Sequence, residues 1–241
     1  LRIIAVYIYR LYLNIINTDI IKKKKLNDNK NEFIFITRSL QQTRYIQPYV
    51  INCNYNCHIF LGQSIFNNNS NLKFAKESFS DCKNITVSEC KVTTLDCIGG
   101  YLRIIPKLFS RKRIWFNYRN NKIDISYALK EICVMLPDLL SYKYSLIYGI
   151  SRINCDSCKL LISTEQKSPQ AFIDANLSKA IGLKSAQLMQ TNQPAYPLPN
   201  PVVSDYFLTD SIKFRDLYRD NWNVTKNRVL YVGNFNYVGL Y

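Results

Sequence analysis

The sequence predicts an α/β protein organised around a parallel sheet, and three observations predict it. Short, β-rich apolar runs alternate with stretches whose apolar residues recur at helical spacing, and the links between them are short. The clearest instance runs from Cys158 to Met189: CKLLIST reads as a strand, SPQAFIDANLSKAIG as a helix and LKSAQLM as the next strand. Hydrophobic residues make up 47% of the 241 positions, which is enough to bury a sizeable core and argues against global disorder.

Taken in order, LRIIAVYIYRLYLNIIN at the start is apolar but short, and Arg2 and Arg10 break it. A membrane-spanning helix needs about 20 mainly apolar residues, and no small-residue cleavage site of a signal peptide follows. Its Ile, Val and Tyr content suits a buried strand, or a strand followed by a helix. KKKKLNDNKNE (22–32) reads as a solvated loop or a phosphate-facing arm, and EFIFIT (32–37) as a short strand. His58-Ile59-Phe60-Leu61 reads as a buried strand ending at Gly62. NNNSN (67–71) is a low-complexity loop, LKFAKESFSDC (72–82) has helical spacing, and ITVSECKVTTLDCIGG is β-rich and closes on Gly99-Gly100. A helical pattern over 125–144 is expected to be interrupted by Pro137, which lacks the backbone N–H. In SPQAFIDANLSKAIG, Ser168 is the expected N-cap, Pro169 the first helical residue and Gly182 the stop. The closing RVLYVGNFNYVGLY alternates around Gly233-Asn234 and predicts a C-terminal β-hairpin.

Thr191-Asn192 follows the LKSAQLM strand, and Pro194, Pro197, Pro199 and Pro201 come soon after. In open α/β sheets the loops at the carboxyl ends of strands carry function, and proline lowers the entropy lost on ordering such a loop. Asn192, Tyr196, Pro197 and Pro199 are therefore candidate residues for contact with protein or RNA.

The formal charge is +15, from 32 basic and 17 acidic residues. Such an excess points to a polyanionic partner, nucleic acid before acidic membrane. Cations concentrate in YLRIIPKLFSRKRIWFNYRNNK, where Lys107, Arg111, Lys112, Arg113, Arg119 and Lys122 alternate with Phe109, Trp115, Phe116 and Tyr118. Cations neutralise phosphates and aromatic planes stack on unpaired bases, so this segment is the leading RNA-binding candidate. The plainer reading is a helix with aromatics towards the core and charges towards water. Lys22, Lys23, Lys24 and Lys25 form a second RNA-binding candidate.

Catalytic signals are sparse. The chain has one histidine, His58, which argues against multi-histidine metal sites and catalytic triads. Neither a G-x-x-x-x-G-K-[ST] loop nor a G-x-G-x-x-G turn occurs. Cys155 and Cys158 have the two-residue gap of a zinc knuckle, and Cys53 and Cys57 offer the remaining tetrahedral ligands. Structural thiols are the alternative for these four, because most of the eight cysteines sit among apolar neighbours. No metal or other cofactor is expected, and the thiols are expected to be reduced. Bias towards Asn, Ile, Lys and Tyr is what an AT-rich genome writes, and Leu1 in first position suits a processed amino end or a non-standard start codon.

The run CKLLISTEQKSPQAFIDANLSKAIGLKSAQLMQTNQPAYPLP, from Cys158 to Pro199, resembles the ribosomal protein two family of the small subunit, of bacterial and organellar type. That family shows a strand P-D-L-L-F-V-x-D, a helix A-x-x-E-A-x-x-L, a strand G-I-P-x-I-x-x-x-D-T-N and a turn Y-P-I-P. Here Leu160 to Thr164, Ala171 with Asp174 and Ala175, Gly182 to Asn192, and Tyr196-Pro197-Leu198-Pro199 stand in those places. Upstream, HIFLGQS (58–64) and Ile98-Gly99-Gly100-Tyr101-Leu102 resemble two further family blocks in the same order. Asp96-Cys97 replace the family's Arg-Trp, and Asn200 to Val203 replace its Gly-Asn-Asp-Asp.

The resemblance implies an open, mainly parallel flavodoxin-like or Rossmann-like sheet with helices on both faces and a helical projection. Residues 1–214 would form that α/β domain, with the basic projection over about 103–150, and 215–241 a C-terminal extension. It implies no enzymatic activity, contact with small-subunit ribosomal RNA and neighbouring ribosomal proteins near the head–body junction, no membrane, and no homo-oligomer. The AT-rich bias adds a mitochondrial ribosome in the matrix. Two alternatives stand beside this one. The first is a disulfide-stabilised secreted or viral envelope protein anchored by residues 1–17, with sequons at Asn68, Asn84 and Asn223. The second is a nucleotide-binding enzyme using the Gly99-Gly100 turn.

Overall fold

The computed structural model describes residues 31–62, 69–89, 102, 106, 113–118, 121–153, 155–164, 169–189, 204–222 and 225–233. In chain order the strands are β1 (Phe33–Thr37), β2 (Cys57–Leu61), β3 (Ile85–Glu89), β4 (Trp115–Tyr118), β5 (Asn121–Asp124), β6 (Leu160–Ser163), β7 (Lys184–Met189), β8 (Tyr206–Thr209) and β9 (Val229–Tyr231). The helices are α1 (Leu40–Ile51), α2 (Asn69–Glu77), α3 (Ser126–Ile150), α4 (Pro169–Ala180) and α5 (Ile212–Trp222). The chain divides into two compact units, one from 1–23 and 91–148, the other from 24–90 and 149–241.

In the second unit, seven described strands form one sheet in the order β3-β2-β1-β6-β7-β8-β9. Every neighbouring pair is parallel. The protein is thus an α/β protein with an open parallel sheet. The sheet grows one way from β1 to β3 and the other way from β6 to β9, which makes the β1/β6 border a topological switch point. Parallel strands need helical crossovers, so both faces are covered and the strands read as near-continuous apolar runs. β2, CHIFL, is buried at every residue.

Side chains alternate between the faces. Phe35, Ile59, Leu61, Ile162, Ala186 and Leu188 join Ile46 and Val50 of α1 and Ala75 of α2 in one core cluster. On the other face, Ile34, Ile36, Phe60, Leu161, Phe207 and Val229 are buried. There α4 buries Ala171, Asp174, Ala175 and Ser178. That face also carries a buried polar stripe, His58, Ser88, Ser163, Ser185, Gln187 and Thr209. Its members find partners: His58 Nε2 lies 2.7 Å from Ser88 Oγ, and Ser185 bonds to the Asp205 carboxylate through its N–H at 2.9 Å and its hydroxyl at 3.1 Å.

The β6–α4–β7 unit forms as its sequence pattern requires. β6 and β7 are adjacent and in parallel register from Leu160↔Lys184 to Ser163↔Gln187. The helix stops at Gly182, whose φ of +78° is one that L side chains rarely adopt. Leu183 N–H donates to the Ser178 carbonyl at 2.9 Å, and Gly182 N–H to the Lys179 carbonyl at 3.2 Å. These are the paired bonds of a Schellman stop. The expected N-cap, Ser168, lies outside the described residues.

The sequence pattern does not disclose α1, and two expectations need correction. Residues 40–51 fold as α1 despite Pro48. Ser39 caps it by accepting from Gln42 N–H at 3.2 Å, while Gln42 Oε1 accepts from Arg38 N–H at 2.7 Å. This reciprocal cap offsets part of the proline's cost. Helix α2 begins at Asn69, inside the expected loop, and ends at Glu77. Pro137 does not interrupt α3, which runs from Ser126 to Ile150; a long run of helix formers on both sides outweighs one lost backbone bond. Of the expected C-terminal hairpin, the part up to Gly233 forms β9, which pairs in parallel with β8 from Phe207↔Val229 to Thr209↔Tyr231, and the second arm lies outside the described residues. Helix α5 and β9 therefore extend the sheet by a further β–α–β unit, because the α5 crossover brings Val229 back to the edge of the sheet.

Candidate nucleic-acid interface

In the first unit the described part of the basic-aromatic segment, from Arg113 on, is an antiparallel hairpin followed by α3, which corrects the expectation of a helical projection over these residues. β4 pairs with β5 from Trp115↔Asp124 to Tyr118↔Asn121. Ile125 N–H donates to the Ile114 carbonyl at 3.0 Å and extends the ladder by one pair. The physical reason is local. W-F-N-Y is rich in residues that favour a pleated surface, and the polar Arg119-Asn120-Asn121 follow in the sequence.

Alternation along the ladder puts Arg113, Trp115 and Asn117 on one face with Lys122 and Asp124. Ile114 and Ile123 lie on the other face, 47% and 46% exposed. Trp115 is 50% exposed, and Arg113, Asn117, Lys122 and Asp124 are also exposed. Asp124 is the acid on this face, and its charge is engaged. Its Oδ1 accepts from Ser126 N–H at 2.9 Å at the start of α3. Bonds from the Ser126 hydroxyl and N–H, aided by Arg113 and Lys130, hold its carboxyl below the usual range. Ser126 Oγ in turn accepts from Ile114 N–H at 2.7 Å, which fastens the hairpin to the helix.

Of the cations singled out in the sequence, Arg113 and Lys122 are thus brought to one surface, on either side of Trp115. Lys22, Lys23, Lys24, Lys25, Lys107, Arg111, Lys112 and Arg119 lie outside the described residues, as do Asn192, Tyr196, Pro197, Pro199 and Gly99-Gly100.

The second place to test is the carboxyl edge of the sheet at its switch point, where ligands bind in open α/β sheets. After β1 comes Arg38, whose side chain crosses to Asp174 of α4 in an ion pair. Asp174 also accepts from the Ser163 hydroxyl at 2.6 Å. Thr37 and Thr43 hydroxyls meet at 3.2 Å. On the neighbouring strand, Gly62 N–H donates to the Thr37 carbonyl at 2.7 Å. A Cβ on Gly62 would stand 2.9 Å from Arg38 Cα, so only glycine fits. No residue of the Thr37-Arg38-Ser39 turn is glycine. Sequence reasoning missed this network; Ser39-x-x-Gln42 was the one local signal of the helix that carries it.

The four cysteines proposed as zinc ligands lie near the amino edge of the sheet, Cys57 opening β2 and Cys158 just ahead of β6. Burial pushes the Cys57 thiol up, as do neighbouring Cys53, Glu32 and Cys158. Burial and Cys155 push Cys158 up to about 11, and burial and Asp156 raise Cys155. Burial thus favours the protonated form of Cys57, Cys155 and Cys158. Among the described residues no three of His, Cys, Asp or Glu converge closely enough to hold a metal ion. Cys53, Cys57, Cys82, Cys155 and Cys158 are free thiols. Burial lowers the His58 imidazole from 6.5 to about 4 and keeps it neutral, and its Nε2 is engaged by Ser88 Oγ at 2.7 Å. Among the described residues, no helix is long and apolar enough to cross a membrane.

No family model, curated protein or solved structure matches the chain.

Proposed function

We propose that the protein is a structural, RNA-binding constituent of the small ribosomal subunit of a mitochondrion, without catalytic activity. It would touch ribosomal RNA and neighbouring ribosomal proteins near the head–body junction, as the resembled family does, and take part as a single copy without cofactor. The observation that carries the reading is the form of the resembling block. Leu160–Ser163 and Lys184–Met189 are neighbouring parallel strands joined by one helix, with Gly182 at its stop, the arrangement that family's motifs demand. The charge of +15 and the exposed Arg113, Trp115 and Lys122 supply the means of holding a polyanion.

Co-sedimentation of the native protein with small mitochondrial subunits tests the assignment; a protein that stays at the top of the gradient ends it. For the isolated protein on its RNA segment, log affinity should fall against log salt by about 0.7 to 0.9 per phosphate neutralised. A slope near zero is incompatible with the proposal.

A second reading, a nucleotide-binding α/β enzyme, is favoured by one observation, the doubly wound strand order. Against it, the turn after β1 lacks the glycines that let a pyrophosphate approach, and the Arg38 side chain spans the switch point. A rise in melting temperature with a nucleotide would revive it.

A further inference from the structure

Resting on the RNA-binding reading, we propose that the Trp115 face of the β4–β5 hairpin is a stacking platform for an unpaired base of single-stranded RNA. The argument starts from the ladder. The register Trp115↔Asp124 and Asn117↔Lys122 gathers an indole, a guanidinium, an amide and an ammonium on one short face. Trp115 is half exposed, and a ribbon of two strands offers it little cover of its own. An exposed indole between two cations is complementary to a nucleotide. The ring receives the flat base, while Arg113 and Lys122 meet the phosphates on either side. Asn117 presents an amide to base edges, as single-strand readers do.

Charge separates the occupants. An acidic protein segment would satisfy the cations but would bring no flat π surface to the indole. A bilayer would favour an apolar face, yet Trp115 shares its face with Arg113, Asn117, Lys122 and Asp124, and the exposed isoleucines Ile114 and Ile123 are on the other side. Asp124 does not repel phosphate at full strength, because its carboxylate is held by Ser126 at the amino end of α3. A duplex hides its base faces in the stack, so the indole gains nothing from paired RNA beyond what the cations gain.

The test uses the full chain and fluorescence anisotropy of a short labelled oligoadenylate, set against a labelled RNA duplex of equal length. Trp115→Leu should weaken the single strand by about five- to a hundredfold and leave the duplex nearly unchanged. Trp115→Phe, which keeps a ring, should recover part of the loss. The ring is at the surface, so circular dichroism of both variants should match the parent. If Trp115→Leu weakens both RNAs alike or neither, the stacking platform is wrong while RNA binding stands. If the parent chain binds neither RNA, the RNA-binding reading itself is wrong. If the Trp115-dependent partner proves to be vesicles of phosphatidylglycerol, the face is a membrane contact and the proposal is overturned.

Discussion

Breaking the Arg38–Asp174 pair should cost more from the arginine side than from the aspartate side. The Asp174 side chain is 2% exposed and that of Arg38 14%. Replacing Arg38 with Met leaves a nearly dry carboxylate without its cation. Removing one partner of a buried pair costs about 3–5 kcal/mol, so about 4 kcal/mol is expected. Replacing Asp174 with Ala removes charge-assisted bonds to Arg38 and Ser163, but it leaves behind the less buried partner of the pair. About 2–3 kcal/mol is expected there. In a chain of this size 1 kcal/mol moves the melting temperature by about 2–4 °C, so Arg38→Met should melt about 8–16 °C early. The double variant should cost less than the sum of the two by about 2 kcal/mol or more, because neither charge is then stranded. Urea denaturation of the parent, both singles and the double closes the cycle. Strict additivity, or Asp174→Ala proving the worse single change, would refute the reasoning.

Histidine gives a pH test. His58 is held neutral at about 4 in the fold against 6.5 when exposed. A depressed value means that the unfolded chain binds more protons between those limits. Stability from this group is therefore complete above about pH 6.5 and drains away as pH falls towards 4, by on the order of 3 kcal/mol. His58→Gln should flatten that part of the stability–pH curve, and an unchanged slope would show that the imidazole is not buried. Two glycines should respond differently. Gly182→Ala meets open space, and the strain of φ +78° should cost about 1 kcal/mol. Gly62→Ala drives a Cβ into the backbone at Arg38 and Thr37 and should cost about 1–3 kcal/mol by thermal denaturation. Alkylation of the denatured, unreduced protein should modify all eight cysteines by mass. In the native protein Cys57 should react among the slowest, since it is buried with a raised thiol. A mass short of eight adducts would favour the disulfide-stabilised alternative.

What the sequence disclosed follows the range of its forces. Pro169 and Gly182 bracket α4 because caps are local chemistry, decided within a turn. The strands β1 and β2 were legible from EFIFIT and HIFL, since parallel strands buried on both faces show as unbroken apolar runs. α1 was hidden by Pro48 and by β-branched Ile46 and Val50, whose packing in the core overrides weak propensity. The β4–β5 hairpin was hidden by its charges, which suggested an amphipathic helix, although Trp115 and Asn117 already alternated with period two. The Arg38–Asp174 pair had no local signature at all, its partners being 136 residues apart. Parallel strand order is equally non-local: Phe33 pairs with both Cys57 and Leu160, and nothing short-range chooses the second.

That long-range pairing bears on where recognition can occur. A doubly wound sheet leaves a crevice where its two halves diverge, and a ligand enters when the first turn is glycine-rich and the helix amides are bare. Here the turn is Thr37-Arg38-Ser39, the first helix is capped by its own Ser39, and the arginine is committed to Asp174. A phosphate at that point would have to displace a side-chain cap and compete for a guanidinium already neutralised in a nearly dry site. On the β4–β5 hairpin, by contrast, Arg113 and Lys122 are exposed, the acid beside them is occupied by Ser126, and an indole lies between them. The same phosphate gains charge there with little to displace. An RNA partner of this chain should therefore be lost through the hairpin substitution Trp115→Leu and not through Asp174→Ala, once stability is restored by lowering the temperature. The opposite ranking would move recognition to the switch point.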